Sequence, residues 1–196
     1  MTELADDEFA VLNAVYLRKI ATLEVIGEIS GLRASEVTAL VAAAVAESRL
    51  EDVGGMYMLS ESATQELLNG YRERYQQLRT DADVLAWYGR FESINRQFLQ
   101  AISAWQTDGG SDPARLDRLL RLVERLVKSL PAIASRIPRY QRYADRFQVA
   151  SDRIDAGHFE FVTSPTVDSV HNVWFEFHED ILTVIGRPRD VAEATA

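Results

Sequence analysis

The chain has 196 residues, no cysteine, and 30 acidic against 21 basic side chains, a formal charge of −9. Without cysteine it builds neither a disulfide scaffold nor a thiolate metal site, and it suits a reducing compartment. The first ten residues carry Glu3, Asp6, Asp7 and Glu8 and no base, unlike a signal peptide, and the longest apolar run, 39–46, is too short for a bilayer; the expectation is a soluble cytoplasmic protein of one or two domains.

Residues 1–80 hold seven bases against thirteen acids, and residues 81–196 hold fourteen against seventeen, so the first part is the more acidic. Phe9, Val11, Leu12, Val15, Tyr16 and Ile20 recur at helical spacing and predict a helix over 6–19. Thr22 is placed to cap a second, short helix that Gly31 stops. A third helix is expected over 34–48, with Val37, Leu40, Val41, Ala44 and Val45 facing inward. Two short strand-prone runs flank Gly54-Gly55, which signals a hairpin. A linking helix over 62–79 follows, with Ala63, Leu67, Leu68, Tyr71, Tyr75 and Leu78 on one face. It has three candidate surfaces to pack on: the first module, the second half, or another copy of itself.

The second half is read from four seams: Val84, Tyr88, Phe91, Asn95, Phe98, Ile102 and Trp105; Leu116, Leu119, Val123, Leu126 and Leu130; Ile137, Tyr140, Ala144, Phe147, Ser151 and Ile154; and Val167, Val170, Trp174, Phe177, Ile181 and Val184. Spacings alternating between three and four residues mark helices packed nearly parallel or antiparallel, so an up-down bundle is expected. Ser111 or Asp112 before Pro113 opens the second helix, Pro131 and Pro138 interrupt before the third, and Gly157 closes it. Asn95 reads either as a register-fixing polar seam residue or as a buried amide bonded to a neighbour. Arg118, Arg121, Arg125, Lys128, Arg139, Arg146 and Arg153 fall off the seams and are expected on outward faces, which read as solvated and balanced by nearby acids or, alternatively, as an anion or nucleic-acid surface.

The first 70 or so residues resemble the MarR-like winged helix-turn-helix family. The likeness is carried by residues 22–29, Ser30-Gly31-Leu32, Ser35-Glu36-Val37 and Leu40, then Ser48-Arg49-Leu50, Gly55-Met56-Tyr57 and Leu59-Ser60. Ala63 stands where the family usually has glycine. The resemblance implies a third helix in the DNA major groove, a wing on the phosphates and a two-fold homodimer. The DNA-contacting residues would be Arg33, Ser35, Glu36 and Thr38. Charge argues the other way: the wing, residues 51–56, has two acids and no base, whereas DNA affinity comes largely from Lys and Arg.

The run Asp168-Ser169-Val170-His171-Asn172-Val173-Trp174-Phe175-Glu176-Phe177-His178-Glu179-Asp180 holds two of the three histidines. His171 and His178 lie two helical turns apart, about 10.5 Å along the axis, too far for one zinc ion. Two readings stand: a pocket for a small anionic or aromatic ligand lined by His171, Trp174 and His178, or a helix packed on both sides with its histidines bonded to Asp or backbone partners. This run, with residues 91–98 and Ala104-Trp105-Gln106, resembles a bacterial module appended to pyruvate, phosphate dikinase and related phosphoenolpyruvate-utilising enzymes. That resemblance implies a regulatory or docking role. The dikinase's catalytic His segment and nucleotide-binding portion are absent from this chain, so no phosphotransfer carries over.

The expected fold is mainly α, with an N-terminal winged helix of three helices plus a β-hairpin and its linking helix in 1–79, and a four-helix bundle-like domain in 80–196. The expected function is a MarR-like transcriptional regulator that binds DNA and senses a small-molecule effector through the helical domain. The alternative is an acidic winged-helix adaptor that binds a protein or a small metabolite and not DNA. No nucleophile elbow, phosphate loop or metal motif points to an enzyme or a cofactor.

Overall fold

The computed structural model describes residues 4–107, 109–110 and 112–188. It is mainly α-helical with one small antiparallel sheet. The chain forms two units, Met1–Gln76 and Gln77–Ala196, so the division falls three residues before the expected boundary. Among the described residues no single helix is long and apolar enough to cross a membrane.

The first unit runs α1 (Asp6–Arg18), α2 (Leu23–Ser30), α3 (Ala34–Ala46), β1 (Leu50–Asp52), β2 (Tyr57–Leu59) and α4 (Glu61–Tyr75). Local chemistry sets its boundaries. Thr22 Oγ1 accepts the Val25 N–H at 3.4 Å at the start of α2. Gly31 ends that helix at φ 79°, donating its N–H back to Gly27 O at 2.8 Å. The hairpin closes over Gly54 and Gly55, both at positive φ, where a side chain would be strained. Leu50 pairs with Leu59, Glu51 with Met58 and Asp52 with Tyr57. A bridge unforeseen from sequence extends this sheet: Ala21 and Tyr57 exchange backbone hydrogen bonds of 3.1 and 2.8 Å.

The core of this unit is Phe9, Leu12, Val15, Ile26, Val37, Val41, Leu50 and Leu67, each apolar side chain worth roughly 1.5–3 kcal/mol of burial. Ile20, expected on the inner face of the first helix, lies past the end of α1 and is exposed. α4 packs on α1: the Tyr71 ring meets Phe9 with centroids 5.0 Å apart, and the Tyr71 hydroxyl donates to the buried Asn13 Oδ1. Arg74 reaches back to the Asp6 carboxylate and the Leu4 carbonyl. α4 stops at Tyr75, before the expected Arg79, and a single 3₁₀ turn covers Gln76–Arg79.

The second unit holds α5 (Ala82–Thr107), α6 (Pro113–Ala134), α7 (Gln141–Asp155), α8 (Glu160–Thr163) and α9 (Val170–Ile185). Asp81 opens α5 by accepting the Asp83 and Val84 N–H groups at 2.9 and 3.1 Å. Asp112 caps α6 ahead of Pro113, and Ser111 lies outside the described residues. Pro131 does not interrupt before the third helix as expected, because it sits in the last turn of α6, which continues to Ala134. There it forgoes the bond to the carbonyl four residues back, and the helix ends within a turn.

Contacts fix the helix directions. Trp87 meets Ser129, Gln97 meets Arg125 and Ala104 meets Arg115, so α5 and α6 are antiparallel. Trp87 meets Phe177 while Phe98 meets Trp174, so α5 and α9 are antiparallel too. Tyr143 meets Phe177 while Phe147 meets Trp174, which sets α7 against α9 in the same sense. The four long helices therefore alternate in direction. α9 is the hub: Val170, Val173, Trp174, Phe177, Ile181, Val184 and Ile185 are buried, and so are Glu176, His178 and Asp180 on its other faces.

Candidate functional site

The structure brings Arg33, Ser35, Glu36 and Thr38 together at the start of α3, with Ser35 and Thr38 exposed. Their donors are partly spent locally. The Arg33 guanidinium is ion-paired to Glu36, whose other carboxylate oxygen accepts the Arg33 N–H at 2.9 Å. The hydrogen bond from the Arg33 side chain, then that from its backbone, hold the Glu36 carboxyl below the ordinary glutamate range. The Thr38 hydroxyl donates to Ala34 O at 2.8 Å.

Further along α3 the exposed positions are Ala39, Ala42, Ala43 and Ala46. The hairpin that follows exposes Glu51, Asp52, Val53, Met56 and Met58. Arg49, just before β1, faces carboxylates of Glu47, Glu66 and Glu8 at 2.8, 3.5 and 3.9 Å. The α3 and hairpin surface is thus small, apolar and acidic.

In the second unit, two of the three residues expected to line a ligand pocket belong to the core. Trp174 is 1 % exposed and stacks on Phe98, ring centroids 3.8 Å apart, while its Nε1–H donates to Asn95 Oδ1 at 2.9 Å. Asn95 is therefore the buried amide bonded to a neighbour. His178 is 2 % exposed, with Nε2 3.4 Å from Glu92 Oε1, and Tyr88 donates to that same oxygen at 2.8 Å. His171 sits edge-on to Phe175 at 4.7 Å. Its Nε2 is buried without a hydrogen bond, and burial pushes the imidazole pKa down.

The larger polar feature was missed at the sequence level. Arg139 and Arg146, expected on an outward face, point to α9 instead. Arg146 is 8 % exposed. Its guanidinium holds Asp168 through bonds of 2.7 and 2.6 Å and Glu176 at 2.6 Å. Burial works against that charge, but the bond to Asp168 and the charges of Glu176 and Asp168 outweigh it and raise the pKa above the ordinary arginine value. One turn on, Asp180 accepts from Arg139 and from the Tyr143 hydroxyl at 3.0 Å. Burial, then the Asp180 charge, push the Tyr143 pKa well up, so its proton stays on the phenol.

A signal for this cluster was present. Arg139, Tyr143 and Arg146 stand at helical spacing opposite Asp180 and Glu176, which are themselves one turn apart. The outward assignment failed because it placed these arginines by the seam of their own helix alone and did not match them to the acidic positions Asp168, Glu176 and Asp180. Arg118, Arg121, Arg125, Lys128 and Arg153 are exposed as expected, with Arg121 paired to Asp117 and Lys128 to Glu124.

No protein-family model matches the chain, and no curated protein or solved structure matches it. Function therefore rests on the geometry. The cluster pairs Arg139 with Asp180 and Arg146 with Asp168 and Glu176, so these cations are already matched by carboxylates of the same unit. Among the described residues no three His, Asp or Glu side chains converge on a metal position.

Proposed function

We propose that the chain is a regulatory adaptor: a winged-helix module that binds a protein partner, followed by a helical bundle. The single observation that carries this reading is the chemistry of the α3 and hairpin surface. Beyond Ser35 and Thr38 in the first turns of α3, its exposed residues are mostly alanines, Val53, Met56 and Met58 beside Glu47, Glu51 and Asp52, while the exposed Arg33 and the half-buried Arg49 are paired to glutamates. Duplex DNA binds to clustered Lys and Arg, whereas apolar side chains with an acidic rim suit a protein surface whose apolar centre is ringed by Lys or Arg. The reading assigns the chain no catalytic step.

A second reading, a homodimeric MarR-like DNA-binding regulator, is favoured by the element order α1–α2–α3–β1–β2 and by the exposed Ser35 and Thr38 at the start of α3. Selection from random duplex DNA at low salt separates the two. The adaptor reading expects no enriched sequence. A palindromic site enriched by the wild type and lost in R33A/S35A would overturn it, and a dimer by light scattering would then follow.

A further inference from the structure

On this acidic protein one concave surface carries cations that no carboxylate claims. It lies between α5 and α6, in the second unit, and is a half-open groove of about 310 Å³. Edges of the core residues Trp87, Phe91 and Ile94 reach its base, the rings of Trp87 and Phe91 parallel to within 3° with centroids 5.8 Å apart. All three are buried, and the Trp87 Nε1–H is anchored to Ser129 O at 3.0 Å, so the base is fixed. Arg90 and Arg125 stand at its rim. Arg90 has no ion pair or hydrogen-bond partner among the described residues, and Arg125 donates only to the neutral Gln97 Oε1, at 3.3 Å. Two hydroxyls, Ser93 and Ser129, complete the wall.

We propose that the groove is a binding site for a small phosphate monoester carrying a flat apolar body. Two guanidinium groups match the double charge of a phosphate monoester and its several acceptor oxygens. The Ser93 hydroxyl supplies a further donor. The apolar body lies against the exposed edges of Trp87 and Ile94, and the volume is that of a small-molecule site. A carboxylate would leave one guanidinium without a matching charge. The site stands apart from the reading of the first unit, and either can fail without the other.

The test is titration of the full chain with phenyl phosphate, followed by the indole N–H resonance of Trp87, assigned with W87F. A saturable shift of that resonance is expected, weakened by about tenfold or more in R90Q and in R125Q, as each removes a charge-assisted contact. R118Q, on an exposed position of the same helix α6 that does not line the groove, should bind as the wild type does. Inorganic phosphate should bind more weakly for want of the apolar body, and benzoate for want of the second charge. Three outcomes overturn the proposal: no saturation by about 10 mM, well beyond the range of a specific site; unchanged affinity in R90Q and R125Q with native far-UV spectra; or inorganic phosphate or benzoate binding as tightly as phenyl phosphate.

Discussion

Replacing Arg146 by methionine removes the cation between Asp168 and Glu176 while keeping much of the side-chain volume. Glu176 is 4 % exposed and Asp168 is 19 % exposed, so water screens the first far less than the second. Breaking one partner out of a buried ion pair costs about 3–5 kcal/mol. For a domain of the second unit's size that is roughly a 10–20 °C fall in melting temperature, out of a total stability of about 5–15 kcal/mol. The three tryptophans, Trp87, Trp105 and Trp174, all lie in this unit, so their fluorescence follows its unfolding alone. The companion variant R146M/E176L replaces cation and anion together by apolar groups and should recover at least half of the loss. If R146M melts within about 3 °C of the wild type, equivalent to less than about 1 kcal/mol, the cluster is not a structural lock and the reasoning fails.

Other perturbations test separate parts of the structure. N95A strips the acceptor from the buried Trp174 Nε1–H and should cost about 1–3 kcal/mol in urea unfolding; a neutral result would mean that the indole finds another partner. His171 has a folded pKa below its unfolded value of about 6.5. As pH falls below that value the unfolded chain takes up a proton that the folded one refuses, so stability declines until the folded pKa is passed and then levels. H171Q should remove that part of the slope, seen as a flatter plot of urea midpoint against pH. G55A places a side chain at φ 86° in the hairpin and should cost about 1–2 kcal/mol, detected as faster amide exchange at Glu51 and Met58, the hydrogen-bonded pair of the hairpin.

Much of this architecture was legible because its signals are local. The Thr22 cap, the Gly31 stop and the Gly54-Gly55 turn each act within four residues of where they stand. The apolar seams of α5, α6, α7 and α9 follow from helical period alone, and so did the place of Asn95 in the α5 seam. What escaped depends on distant partners. The Ala21–Tyr57 bridge joins segments 36 residues apart with no shared pattern. α8 spans four residues, too few to show a period. Arg146 looked like a surface residue because its spacing is that of a solvated face, and its burial follows from α9 being enclosed on several sides. His178 and Trp174 were singled out as chemically unusual, and they are unusual as core residues.

The helix at the centre of the second unit is also the last of the described helices in chain order. Until residue 185 has been made, α5 and α7 have no Trp174 or Phe177 to close over, and their aromatic faces stay open to water and to other chains. From the start of α5 to the end of α9, synthesis takes roughly 5–20 s at ordinary elongation rates. A ribosome-bound chain paused between α7 and α9 should therefore be a chaperone client, and one released after residue 185 should not. Changes in α9 that weaken its burial should leave the same aromatic faces of α5 and α7 uncovered in the finished chain.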